Sequence, residues 1–223
     1  MRDLSRVNPP AYRGSDVDDS LSVAWVSSDR ARLRNKPEGA PTRAEAVPRQ
    51  TQLPVLEVAD VRGKPWFRVG ENQWLPEGDV ARPSRLPRPS QVKQGERWFD
   101  IELKTQILIA YVGDLPVFAT LVSTGRGLDG SELATPKGLH RIWVKLASSD
   151  MDNLENLEAK ESYAIQAVPW VMYFQKGYGL HGTFWHRAFG KVQSHGCVNL
   201  SPTDAERMFD WACLLYTSPS PRD

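Results

Sequence analysis

Apolar residues in this chain recur mostly at alternate positions, in short runs bounded by glycine and proline, which predicts strands rather than long helices. Ser22–Ser27 is the first such run. Ala31–Arg34 follows, then a turn at Asn35–Gly39. Gln52–Val58, Lys64–Val69 and Gln73–Pro76 continue it, with turns at Arg62-Gly63 and Gly70–Asn72. Short strands at this spacing predict a small all-β barrel over residues 21–83. Residues 1–20 are polar and aperiodic and read as a flexible tail. Residues 84–94 are proline-rich and basic and read as a semi-extended linker.

A second β-rich region spans 95–212. Arg97–Leu103, Gln106–Tyr111, Leu115–Ser123, Gly138–Leu146 and Val168–Phe174 each read as a strand, and Thr124–Gly130 as a glycine-rich loop. Residues 148–162 are acidic and polar, with Leu154 and Leu157 at helical spacing, and read as an insertion or lid. One helix is signalled after Leu200. Ser201 is its N-cap, Pro202 takes the first turn, Asp204 lies three on, and Ala205, Met208, Phe209 and Ala212 form its apolar face.

Composition narrows the class. The chain has 223 residues, 40% of them hydrophobic and 25% charged, which excludes a disordered or fibrous protein. The net charge of +1 predicts no general attraction to nucleic acid or anionic lipid. The apolar run Gln106–Val112 is far shorter than the ~20 residues of a membrane span. Met1–Arg6 has no apolar core of a signal peptide, and the N-terminus is read as incomplete. Two cysteines cannot build a disulfide framework. Cys213 opens a tail, 213–223, whose composition breaks with the helix before it. That tail resembles a translated sequencing adaptor and is read as non-native, which leaves Cys197 as a lone thiol.

Candidate chemistry concentrates in Leu180–Leu200. Ser194-His195-Gly196-Cys197 places a thiol after a glycine, which allows a sharp turn and close approach to a ligand. A free thiol is mostly protonated at neutral pH. It needs a base or a positive field, and the N-terminus of the helix just downstream is expected to favour the thiolate. His181 is a candidate base if the intervening loop reverses the chain, and His195 shares a face with Cys197 in an extended segment. Cysteine with histidine is the arrangement for acyl transfer through a thioester, with the backbone N–H groups of Gly196 and Cys197 as an oxyanion hole. Other readings stay open. Cys197 can be a buried small hydrophobe. His181, His186, His195 and Cys197 can be metal ligands, although their spacing fits no usual zinc pattern. His186 alone reads as an exposed loop residue and His140 as structural.

His181-Gly-Thr183 followed by Ser194-His-Gly-Cys-Val-Asn-Leu200 closely resembles the signature of the YkuD-type L,D-transpeptidases. Val122-Ser-Thr-Gly125 and Thr135–Ile142 resemble further pieces of that family, and the resemblance covers about 95–212. It implies a mainly β fold: a mixed-sheet β-sandwich with a short C-terminal helix and a capping subdomain. Ala31–Pro37 and Pro65–Val69 with Asn72–Pro76 resemble a bacterial SH3-like domain, so a small SH3-like barrel is expected before the catalytic domain. The resemblance implies Cys197 as nucleophile, His181 as general acid and base, and His195 as the neighbouring motif histidine. It further implies that Ser194 and Gly182 orient the histidines, that Gly196 supplies an oxyanion amide, and that Gly182, Thr183, Trp185, Tyr173 and Asn199 border the substrate. No cofactor or metal is implied. The expected partners are peptidoglycan stem peptides, with a lipoprotein or D-amino acid as possible acceptor, at a periplasmic or wall-associated location. A carboxypeptidase of the same fold and a non-catalytic wall-binding protein are the alternatives.

Overall fold

Ile107–Tyr111 is apolar at every position because both faces of its strand are covered, so alternation fails where burial is two-sided. The structure is a computed structural model that describes residues 12–152, 163–212 and 217–218. Its strands, in order, are β1 (Ser15–Asp16), β2 (Val23–Val26), β3 (Gln52–Pro54), β4 (Glu57–Val61), β5 (Lys64–Gly70), β6 (Gln73–Pro76) and β7 (Val80–Ala81). Then come β8 (Arg97–Glu102), β9 (Ile107–Val112), β10 (Leu115–Leu121), β11 (His140–Arg141), β12 (Val144–Asp152), β13 (Ala164–Gln175), β14 (Tyr178–Gly182) and β15 (Val198–Leu200). Helix α1 (Pro202–Trp211) and β16 (Thr217–Ser218) close the order.

The fold is mainly β with one short helix. One sheet has the order β1-β10-β9-β8 and another β12-β13-β14-β15. They face each other across a core that includes Phe99, Leu108 and Phe118 from the first, and Met172, Leu180 and Val198 from the second. Ala205 and Met208 of α1 close that core. The other face of the first sheet packs Trp98, Ile109 and Leu121 against Leu21, Val23 and Trp25. Trp98 and Tyr111 are cross-strand partners stacked at 4.3 Å. Burying side chains of this size contributes roughly 1.5–3 kcal/mol each.

The N-terminal strands form two three-stranded sheets, β3-β2-β7 and β4-β5-β6, and do not close into a barrel. They share a small core of Val26, Val55, Phe67 and Leu75. The stretch read as a tail is docked from Tyr12 onward. Tyr12 is buried, β1 pairs with the edge of β10, and the Gly14 N–H reaches both carboxylate oxygens of Asp204 at 3.0 Å. Periodicity cannot show this, because one aromatic and one backbone amide carry the contact. Residues 1–11 lie outside the described residues.

The strand read as Gly138–Leu146 is split into β11 and β12, and β12 continues through Asp152, so 148–152, expected to open an insertion or lid, are strand. Residues 153–162, the rest of that expected insertion, lie outside the described residues. Of the tail 213–223, only Thr217–Ser218 is described, as a backbone pairing with His140 and Arg141.

Helix α1 follows its signals. The Ser201 hydroxyl accepts the Asp204 N–H at 3.2 Å, and Pro202 takes the first turn. Its C-terminal carbonyls receive cations from other elements. Lys145 Nζ donates to Phe209 O and Ala212 O, and Arg97 Nη1 to Trp211 O.

Candidate active site

Two neighbouring strands carry the site. β14 and β15 pair in parallel, with His181 opposite Asn199 and Leu180 opposite Val198. A parallel pair needs a long crossover, and here Thr183–Cys197 makes it. Cys197 immediately precedes β15, so the ladder sets it one step from Leu180 and two from His181. His181 and Cys197 both line one groove of about 1510 Å³, together with Trp185, His186, Ser194, His195 and Asn199. Sequence reading named all of these except His186 as site residues.

His181 is 3% exposed. Its Nδ1 lies 3.1 Å from the Gly182 carbonyl, which can only accept, so Nδ1 carries the proton and Nε2 is left with its lone pair. Thr183 Oγ1 sits 3.4 Å from the same nitrogen. Trp185 stacks on the imidazole at 5.7 Å. Burial holds the His181 pKa down to about 4, so the imidazole is neutral well into acid.

Cys197 is half-buried, and its sulfur lies 3.9 Å from the Gly177 carbonyl. Burial pushes its thiol up, with the Gly179 N–H partly opposing. The expected thiolate from the helix dipole is therefore corrected. The first turn of α1 is satisfied by Ser201, and Asp204 places its own carboxylate there, so desolvation decides. The thiol and the imidazole line one groove, and burial favours the neutral form of each.

Gly196 has φ +121°, a conformation L side chains rarely adopt, and a Cβ there would meet Tyr178 Cε1 at 2.3 Å. Its N–H donates to Ser194 Oγ at 3.1 Å, while that hydroxyl donates to the Cys197 carbonyl. Ser194 thus shapes the turn before the thiol rather than orienting a histidine. The Gly196 amide points at Ser194 and not into the groove as an oxyanion donor. Gly182 acts through its carbonyl and is buried, and Thr183 is fully buried behind His181, so neither borders the groove.

His195 lies at the rim, with Arg126 Nη2 2.9 Å from its Nε2 and the Tyr163 ring stacked at 5.0 Å. Tyr173 does not line the groove: it faces Trp143 and Ser149. A register shift between Tyr173 and Gln175 and positive φ at Ala167 and Trp170 break the alternation of β13, so facing could not be counted along it. Tyr163 and Tyr178 line the groove instead.

His186, read as an exposed loop residue, is half-buried, and burial holds its pKa down to about 4. Its Nδ1 accepts the Ala188 N–H at 3.1 Å, so Nε2 carries the ring proton. That nitrogen sits 2.9 Å from the Asn199 amide. The donor at Nε2 calls for the amide oxygen there, which also gives a partner to the otherwise orphaned, buried Asn199 Oδ1. His140 is structural, its Nε2 near the Pro136 carbonyl and its ring against Phe174. Among the described residues, no three His, Cys, Asp or Glu side chains are grouped to hold a metal ion.

A model of the L,D-transpeptidase catalytic domain family, YkuD, matches residues 96–215. Among solved structures, an L,D-transpeptidase from Mycobacterium smegmatis is 18% identical over 94% of this chain and 88% of its own, with a TM-score of 0.51. L,D-transpeptidase 3 from Mycobacterium tuberculosis is 16% identical over 72% of this chain and 78% of its own, also at 0.51. The C442S mutant of the Enterococcus faecium L,D-transpeptidase is 18% identical with a TM-score of 0.48. The match covers 57% of this chain and spans half the length of that one. No curated protein matches the sequence. At these identities the likeness to solved structures is one of fold.

Proposed function

The chain belongs to the YkuD family of L,D-transpeptidase catalytic domains, and from that premise we propose that it is a cysteine acyltransferase acting on peptidoglycan stem peptides. The observation that carries the reading is the pairing of β14 with β15. It brings the Cys197 thiol and a His181 imidazole of fixed tautomer to one groove.

In this reading Cys197 Sγ attacks the carbonyl between the third residue and the terminal D-residue of a tetrapeptide stem. Its proton passes to His181 Nε2 as the carbon–sulfur bond forms, because thiol and imidazole both rest neutral. The amide of Cys197 stabilises the tetrahedral oxyanion. His181 returns the proton to the leaving amine, and the D-residue departs. An amine from a second stem, a lipoprotein or a D-amino acid then attacks the thioester and regenerates the thiol. Trp185 and Asn199 flank the acyl chain, and His195 with Arg126 and Tyr163 borders its entry. The two N-terminal sheets are read as an SH3-like arrangement that contacts the wall, and the site of action as the periplasm or wall, where the substrate is.

The test is incubation with a disaccharide-tetrapeptide and an isotopically labelled D-amino acid, followed by mass. Exchange of the terminal D-alanine that disappears in Cys197→Ala is the expected result. Release without exchange would make the protein a carboxypeptidase. No change in a folded sample would remove the enzyme reading for this stem and leave wall binding.

A further inference from the structure

We infer that Gln50, far from the groove in sequence and seated in the N-terminal region, is a positioning residue for the candidate active site. Gln50 Nε2 donates to two carbonyls of the crossover loop, Arg187 O at 2.8 Å and Phe189 O at 2.9 Å. Its own N–H is fixed to the Val26 carbonyl at 2.8 Å, so the turn that carries the side chain is tied to β2 of the N-terminal sheet. Arg49 Nη2 adds a third bond, to Phe189 O at 3.2 Å. Gln50 has φ +65°, where glycine would be unstrained. A glutamine at such a position is explained by what its side chain holds.

The loop it holds carries Trp185 and His186, which line the groove. Phe189 is fully buried and stacks on Tyr12 at 5.7 Å. His186 packs on Phe189 at 5.5 Å and reaches Asn199 at 2.9 Å. Trp185, one residue earlier, lies over His181. Gln50 therefore fixes the middle of the loop, and His186 pins its first part to β15, the strand beside that of His181. The N-terminal sheets in this respect buttress the crossover loop from outside the groove. The kinetic half of this inference rests on the acyltransferase reading; the loop placement does not.

The test uses the full chain and two variants. Gln50→Glu keeps the size and removes both donors. Gln50→Gly removes the side chain while relieving the backbone, so it guards against failure to fold. The chain has four histidines, so each ring can be followed by NMR with labelled histidine. In both variants the His186 signals are expected to shift and its titration to rise toward that of an exposed imidazole, with His140 unmoved. In the exchange assay kcat is expected to fall about tenfold with KM within about twofold, as for misplaced groups. Histidine signals superimposable on the parent's, or an unchanged kcat in an active parent, would overturn the inference. If the parent itself fails to exchange D-alanine, the acyltransferase reading fails separately, and the histidine spectrum alone decides the loop's placement.

Discussion

The floor and the rim of the groove are built differently. On the floor, His181 and Asn199 are 3% exposed, Ser194 is 5% exposed, and each is held by a ladder, a backbone carbonyl or a neighbouring ring. At the rim, Leu133 is 40% exposed, and His195 meets the Arg126 guanidinium and the Tyr163 ring. The floor is fixed before any substrate arrives, as bond-making groups must be. The rim is more exposed, as groups that sort substrates can be. Changes on the floor should therefore act on chemistry and stability, and changes at the rim on affinity.

The largest expected effect is on the floor. His181→Gln should lower kcat for exchange by about 10²–10⁴-fold, the usual worth of a general base, with KM nearly unchanged. A rise in KM at constant kcat would move His181 to the rim's role. Gly196→Ala combines a forbidden backbone with a clash on Tyr178. It should cost about 2–4 kcal/mol in urea unfolding, and a neutral result would mean that the turn before Cys197 is soft.

Acid sharpens the contrast next. His181 has a pKa of about 4 when folded, against about 6.5 for a free imidazole. The unfolded chain therefore binds a proton first as pH falls. Stability should drop between pH 6.5 and about 4 and level off below, by at most about 3 kcal/mol from this group. His186 acts in the same direction. Asp204, raised by burial, opposes it. Urea midpoints at pH 7 and 4.5 for the parent and His181→Gln measure the difference, and equal pH slopes in the two would contradict it. The smallest effect belongs to the rim. Leu133→Ser should change stability by no more than about 1 kcal/mol while changing KM for stem peptides. A loss of kcat alone would dissolve the distinction between rim and floor.

What the sequence shows and hides follows from distance along the chain. The cap of α1 and the strands β5, β8 and β9 are local patterns and are legible. So is the cluster from His181 to Cys197, because its glycines and histidines lie in one stretch. β14 and β15 escaped as strands, the first interrupted by Gly179 and Gly182, the second only Val198–Leu200. The substitution of Tyr163 and Tyr178 for Tyr173 arises from irregular backbone in β13 that no period can count. His186 with Asn199, Gly14 with Asp204 and Gln50 with the crossover loop are pairings that only the folded chain creates. Their residues are ordinary loop residues in sequence.

The central claim is that Cys197 carries an acyl group through a thioester. Intact mass of the chain mixed with a disaccharide-tetrapeptide and no acceptor amine tests it most directly. The account predicts an adduct equal to the stem minus its terminal D-alanine, mapped to Cys197 and absent from Cys197→Ala. Release of D-alanine by Cys197→Ala at the parent's rate would contradict it.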